Sequence, residues 1–212
     1  MPDAAIRHNM ERGLVRVQRI GRLAAIAAIA TAACLEVRAV DIGIGRVAIE
    51  RALEIARGND DARRRFHSRY LIPTGNPTVQ SFEVITEFRR VVLGKEAQAQ
   101  IGNHLFATRD AEDLLKSWRG RLLVVAHLRF NPLNAFVSVP RYEMSLTGPP
   151  GTREILPLDT RTVPFYAEWA LIGADIEGTF DAGPLAQATR TIVVTLSPNQ
   201  VAAATINFAT IE

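Results

Sequence analysis

Residues 121–130 read RLLVVAHLRF, and they decide the fold of the second half of this chain. Apolar side chains recur there at every second position: Leu122, Val124, Ala126, Leu128 and Phe130. Because the side chains of a β-strand point alternately to its two faces, this period predicts a strand with one buried face. The change comes at Gly120, since helical spacing precedes it and strand spacing follows it.

The same alternation returns three times before the C terminus, in residues 172–181, 192–196 and 201–211. Shorter strands are expected over residues 136–139 and 142–146, which Pro140 separates. We therefore predict that residues 121–212 form an antiparallel β-sandwich of seven to eight strands with immunoglobulin-like architecture. A true immunoglobulin domain is not expected, because the Cys…Trp…Cys pattern is absent. The predicted core contains Ile176, Phe180, Ile192, Val194, Ile206 and Phe208.

Residues 40–120 are expected to form a separate helical portion, which makes the fold class α+β. The first helix covers residues 46–57 and buries one stripe of side chains at helical spacing: Ile49, Ala52, Leu53 and Ala56. Asn59 or Asp60 can cap a second helix. A third helix is predicted over residues 79–99, with a strand across Phe82–Thr86 as the alternative, and a fourth over residues 110–118.

Residues 23–35, LAAIAAIATAACL, are uncharged and follow five arginines, at positions 7, 12, 16, 19 and 22. A basic lead, an apolar run and a small-residue site are typical of a secretory signal. Val37, Arg38 and Ala39 provide the site, so residues 1–39 are predicted to be an export signal peptide. The alternatives are a buried core helix and a retained anchor, but a membrane-spanning helix needs about 20 apolar residues.

Cys34 is the only cysteine, and it ends the apolar run. Thr31-Ala32-Ala33-Cys34 resembles the lipobox of bacterial lipoproteins, in which a small residue precedes a cysteine that becomes lipidated. The resemblance implies a lipid on Cys34 as the only membrane attachment. Alternatively, the cysteine is removed with the signal. In both cases no disulfide can form within the mature chain.

The net positive charge of the chain comes from its first 39 residues. They hold six arginines and three acids, so that the remaining residues carry nineteen basic and nineteen acidic side chains. A neutral balance provides no surplus of cations for phosphate groups, and nucleic acid is therefore not expected as a partner.

Phe165, Tyr166 and Trp169, in VPFYAEWA, form the densest aromatic group of the strand-rich half. They are the candidate ligand or partner surface. The more common use of such side chains is to fill a core between a sheet and helices. Either interpretation fits the sequence.

No catalytic, metal or cofactor motif is recognised. His67, His104 and His127 are not at ligand spacing from one another, and His127 is interpreted as a packed or surface histidine. A calcium site at Asp175, Glu177 and Asp181 is weighed, but solvated strand positions explain these acids as well.

The expected function is that of an exported bacterial envelope protein, in the periplasm or attached to the envelope. It would bind or scaffold an unidentified envelope protein or ligand. The alternative is a secreted hydrolase whose site is assembled from distant residues, such as His67 with Glu83 or Glu87.

Overall fold

The computed structural model describes residues 42–134, 136–186 and 188–211. The predicted export signal, with Cys34, lies outside these residues. The described residues belong to one compact unit, which spans Val37–Glu212. None of the helices described is long and apolar enough to cross a membrane.

The fold is α+β, with four α-helices and eight β-strands in the described residues, and the strands form two antiparallel sheets. The helices are α1 (Arg46–Ala56), α2 (Asp60–Ser68), α3 (Glu87–Gln100) and α4 (Thr108–Leu115). The strands are β1 (Leu71–Pro73), β2 (Val79–Ile85), β3 (Arg121–Arg129), β4 (Tyr142–Thr147), β5 (Asp159–Ala167), β6 (Ala170–Asp181), β7 (Thr189–Leu196) and β8 (Asn199–Asn207).

The first two helices form where their sequence patterns predict them. α1 buries the expected stripe of four side chains: Ile49, Ala52, Leu53 and Ala56. The N-cap of α2 is Asn59, whose side-chain oxygen accepts a hydrogen bond from the backbone N–H of Ala62 at 2.9 Å. This bond satisfies one of the donors left free at a helix start.

The prediction of one helix over residues 79–99 is wrong for its first third. Residues Val79–Ile85 form β2, and α3 begins only at Glu87. Thr86 separates the two elements as the N-cap, because its hydroxyl accepts a hydrogen bond from the N–H of Arg89 at 3.2 Å. Phe82 and Val84 pair with β3, so that tertiary pairing, together with β-branched side chains, overrides the helical spacing.

The five-stranded sheet has the strand order β1-β2-β3-β6-β5. Its central strand, β3, buries the alternating side chains predicted for it, among them Leu122 and Val124. β1 and β2 come from residues 71–85, within the portion expected to be helical. Residues 136–139, expected to be a strand, contain none, whereas β5 was not predicted.

The three-stranded sheet has the order β4-β7-β8 and shares one core with the five-stranded sheet. Gly178 of β6 shows how closely the sheets approach, because a Cβ atom there would lie 3.1 Å from the sulfur of Met144 in β4. The predicted core side chains are all buried: Ile176, Phe180, Ile192, Val194, Ile206 and Phe208. The prediction that these six side chains are buried is therefore confirmed.

The other face of the five-stranded sheet carries its polar residues. Glu83, His127, Asp175 and Glu177 lie there on three neighbouring strands, at positions that alternate with the core residues. This polar face and the loops at the ends of the strands are where candidate functional groups lie.

Candidate functional site

The aromatic group predicted as a partner surface lies at the tip of the β5–β6 hairpin. The side chains are exposed: 42 % for Phe165, 51 % for Tyr166 and 86 % for Trp169. The interpretation that they fill the core is therefore wrong. The residues next to them in the sequence do not indicate this exposure. β5 is the edge strand of its sheet, and its residues are exposed except for the half-buried Val163.

The hairpin turns within two residues, Glu168 and Trp169, between the paired Ala167 and Ala170. Glu168 has a φ of 56°, in the left-handed region that side chains other than glycine rarely adopt. The turn presents the indole of Trp169 to solvent.

A concave surface lies at the same end of the molecule. The end of β3, the loop that follows it and the adjoining ends of the three-stranded sheet enclose a pocket of about 800 Å³. Its loop is tied to the start of β6, because Asn134 donates to the carbonyl of Leu171 at 2.9 Å and the N–H of Phe130 donates to Ile172 at 2.9 Å. The pocket and the aromatic hairpin are therefore held by the same strand.

Three aromatic rings form part of the apolar wall of this pocket. Phe130 packs against Phe136 edge to face with 5.4 Å between the ring centroids, and it stacks on Tyr142 with 6.5 Å between them. Burial raises the pKa of the Tyr142 phenol. The remaining lining residues include polar groups that could orient a ligand, namely Thr78, Arg129, Asn131 and Asn134. Such a combination of an apolar wall and a few polar groups is typical of small-ligand sites.

A second polar cluster, which sequence reasoning missed, lies on the polar face of the five-stranded sheet. His127 places its Nδ1 atom 2.7 Å from Asp175 of β6 and its Nε2 atom 3.0 Å from Glu83 of β2. Glu83 also forms an ion pair with the buried Arg89 at the start of α3. The cross-strand register brings these residues together, and it cannot be deduced from the sequence of any one strand.

The two carboxylates favour the charged form of His127. The hydrogen bond with Glu83 is the main cause that raises the pKa of His127, with Asp175 adding to it against the opposing effect of burial. The same bond lowers the pKa of Glu83. In the charged ring both nitrogens donate to these carboxylates, and no lone pair is left to bind a metal or accept a proton. The arrangement links three strands and one helix.

The other histidines lie elsewhere. His67 bonds Glu96 at 2.9 Å, and not Glu83 or Glu87 as the hydrolase hypothesis suggested. Glu87 is occupied by backbone amides and Arg119. His104 is exposed, and its backbone carbonyl accepts a hydrogen bond from Lys95 at 2.7 Å. Among the described residues no group of three or more acidic, histidine or cysteine side chains is arranged to hold a metal ion.

Trp118, the other tryptophan, differs from Trp169 in its surroundings. The guanidinium of Arg90 lies 3.3 Å from the centre of one of its rings, and burial lowers the pKa of Arg90 to about 10. The cation covers this ring as a structural contact, so that the two indoles differ in their access to solvent.

Comparison with known proteins gives no family. No protein-family model, no curated protein and no solved structure matches this chain.

Proposed function

We propose that the protein is an exported envelope protein that acts as a binding or scaffolding module, built on a β-sandwich of immunoglobulin-like architecture. The binding surface is the end of the molecule that carries the aromatic hairpin. One observation carries this proposal: Phe165, Tyr166 and Trp169 are all exposed on the same short hairpin. Aromatic side chains are enriched in protein interfaces, where they bury a large area at little cost in conformational entropy.

The neighbouring pocket is a second reason to place the binding surface at this end of the molecule. Its wall of Phe130, Phe136 and Tyr142 offers a concave apolar site next to a convex aromatic tip. An interface typically buries a few large anchors in pockets of the partner and accepts anchors in return. The ligand that fits is a protein or peptide with apolar side chains, taken up at both features.

Export is part of the proposal and depends on residues 1–39. The basic lead, the apolar run and the site at Val37, Arg38 and Ala39 support it. A lipid on Cys34 would attach the module to the envelope membrane.

Hydrolysis is the second candidate, and the cluster at His127 is the observation that favours it, since polar groups from three strands converge there. Its geometry argues for a structural role, however. A general base needs a free ring nitrogen within reach of the substrate, and both nitrogens of His127 face carboxylates.

Capture from the native envelope tests the binding surface. The tagged chain is compared with a triple variant, Phe165→Ser, Tyr166→Ser and Trp169→Ser. The matched control replaces three exposed apolar residues of the helical part: Val47→Ser, Ile101→Ser and Leu105→Ser. The wild type and the control should retain the same partner, and the triple variant should lose it. Retention of that partner by the triple variant would remove the hairpin from the binding surface.

Fluorescence quenching gives an independent reading of the same surface. In a Trp118→Phe background the remaining indole is Trp169, which is 86 % exposed. Iodide should quench it in the free protein and much less once the captured partner is added. Unchanged quenching on addition of the partner would mean that the hairpin stays outside the interface.

A further inference from the structure

One cation lines the pocket at the ends of the two sheets. Arg129 is the last residue of β3, and it is the only charged side chain among the residues that enclose this cavity of about 800 Å³. The other lining residues are apolar or uncharged, and none of them is acidic. The pocket therefore presents a single positive charge beside an apolar wall.

The register of the sheet leaves the guanidinium of Arg129 without a partner. Arg129 pairs across the strands with Gly173 of β6, which has no side chain to offer. The nearest acid along β6 is Asp175, and its carboxylate bonds His127 at 2.7 Å. No acid in the part of the chain that the structure describes forms an ion pair with Arg129. Because the apolar wall excludes water on one side, this cation should attract an anion more strongly than it would in open solvent.

Two hydroxyl groups of the lining are also available to a ligand. Tyr142 and Thr78 both line the pocket, and neither hydroxyl is hydrogen-bonded to another described residue. The side chains of Asn131 and Asn134, by contrast, accept hydrogen bonds from backbone N–H groups of their own loop. One cation and two hydroxyl donors therefore remain, and they match the acceptor oxygens of one carboxylate.

The walls of the pocket are tied together by the side chain of Asn76. Its oxygen accepts a hydrogen bond from the N–H of Thr78 at 2.8 Å, and its NH₂ group donates to the carbonyl of Val201 in β8 at 2.8 Å. These bonds hold the segment before β2 against the three-stranded sheet. The pocket is thus formed before any ligand binds, and preformed cavities of about 300–1,000 Å³ are typical of small-ligand sites.

We propose that this pocket takes an apolar group that carries one carboxylate, which pairs with Arg129 and accepts hydrogen bonds from Tyr142 and Thr78. The C-terminal residue of a protein has this chemistry, and so does a small aliphatic or aromatic acid. A phosphate group, with a charge of about −1.5 to −2, would exceed the charge of the single cation. The inference rests on the proposed binding function, because it names the ligand chemistry of the pocket at that surface.

Titration with matched ligands tests the carboxylate. N-acetylated Ala-Leu-Phe is added to the full chain either with a free C-terminal carboxylate or as the C-terminal amide, and NMR signals of the protein report the affinity. The free acid should bind about tenfold or more tightly than the amide, because hydrogen bonds to a charged group are the stronger ones.

Octanoate, an acid without a peptide bond, distinguishes the two sources of the carboxylate. Tighter binding of octanoate than of the tripeptide acid would identify a small acid as the ligand. The reverse order would identify the C terminus of a protein. Both orders support the proposed chemistry of the pocket.

Arg129→Gln tests which side chain pairs with the carboxylate. This variant should bind the free acid about tenfold or more weakly and should bind the amide as before, since only the acid loses a charged partner. Tyr142→Phe should weaken binding of the acid about threefold to tenfold. Arg121→Gln is the control, because Arg121 is exposed at the opposite end of β3, and it should change neither ligand. Thermal unfolding shows separately that each variant is folded.

Equal binding of the acid and the amide to the wild type overturns the proposal, as does failure of all three probes to bind. It is also overturned if Arg129→Gln weakens both peptides equally or binds the acid as tightly as the control does. The triple serine variant of the hairpin should still bind the acid, because its three residues do not line the pocket. If that variant kept both the acid and the envelope partner, the hairpin surface would fail and the carboxylate site would stand.

Discussion

Phe180 illustrates how single side chains specify the register of this fold. It is fully buried in β6, while Asp175 and Glu177 of the same strand lie on the polar face. A shift of one residue would exchange the two faces. Such a shift would bury carboxylates at a cost of several kcal/mol and would expose apolar side chains whose burial gains about 1.5–3 kcal/mol each.

Phe180→Ala should destabilise the protein by about 3–5 kcal/mol, because it removes a buried ring and leaves a cavity. Thr195→Ala is the matched control. Thr195 is half-buried on the outer face of β7, and its replacement should change the free energy of unfolding by less than about 1 kcal/mol. Urea unfolding measures both. If both variants lost the same free energy of unfolding, the assignment of Phe180 to the core face and of Thr195 to the outer face would be contradicted.

His127 should make stability depend on pH. Its pKa in the folded protein is raised above the value of about 6.5 expected in the unfolded chain. The charged form therefore stabilises the fold fully below that value, and the contribution is lost as the pH rises through the folded pKa. As the pH rises from 6 through the folded pKa, the wild type should lose free energy of unfolding that a His127→Gln variant does not lose.

Urea unfolding across this pH range provides the measurement, with His104→Gln as the control, since His104 is exposed. The control should retain the slope of the wild type. If His127→Gln retains it as well, the ion pairs with Glu83 and Asp175 do not contribute to stability.

At the scale of elements, the first turn of α3 connects the helices to the sheet. Glu87, whose side chain is 2 % exposed, accepts hydrogen bonds from the N–H groups of Gly43 and Ile44 at 3.1 Å each and of Gly120 at 2.8 Å. Arg119 donates to it at 2.9 Å. A carboxylate is also favoured at this position by the dipole of the helix it begins.

Glu87→Gln should destabilise the protein by about 1–3 kcal/mol, because the amide NH₂ would face donors and leave one or more of them unsatisfied. Glu50→Gln is the control. It weakens only the exposed pair of Glu50 with Arg46 in α1, and its effect should be below about 0.5 kcal/mol. Thermal unfolding compares the melting temperatures of the Glu87→Gln and Glu50→Gln variants. Equal values would mean that Glu87 has no structural role.

At the scale of the whole molecule, the two sheets and the helices share one core. β1 and β2 join the sheet although the helical portion surrounds them in sequence. The part of the chain that the structure describes should therefore unfold as one cooperative unit.

The intact mass of the protein from envelope fractions tests the proposed export. If residues 1–39 are an export signal, the chain should start at Val40, or at Cys34 with an attached lipid. These two products differ in mass from each other and from the full-length chain. A cytosolic chain that still begins at Met1 or Met10 would contradict export.

The sequence by itself determined the α+β class, the stripe of α1, the cap of α2 and the inward faces of β3, β6, β7 and β8. These features are local, because periodicity and capping depend on residues a few positions apart. Only the tertiary structure decided that residues 79–85 form a strand, that β5 is an edge with an exposed aromatic tip, and that Glu83, His127 and Asp175 meet. Each of these depends on which strands become neighbours. The pattern of residues within one strand does not show which distant segment it pairs with.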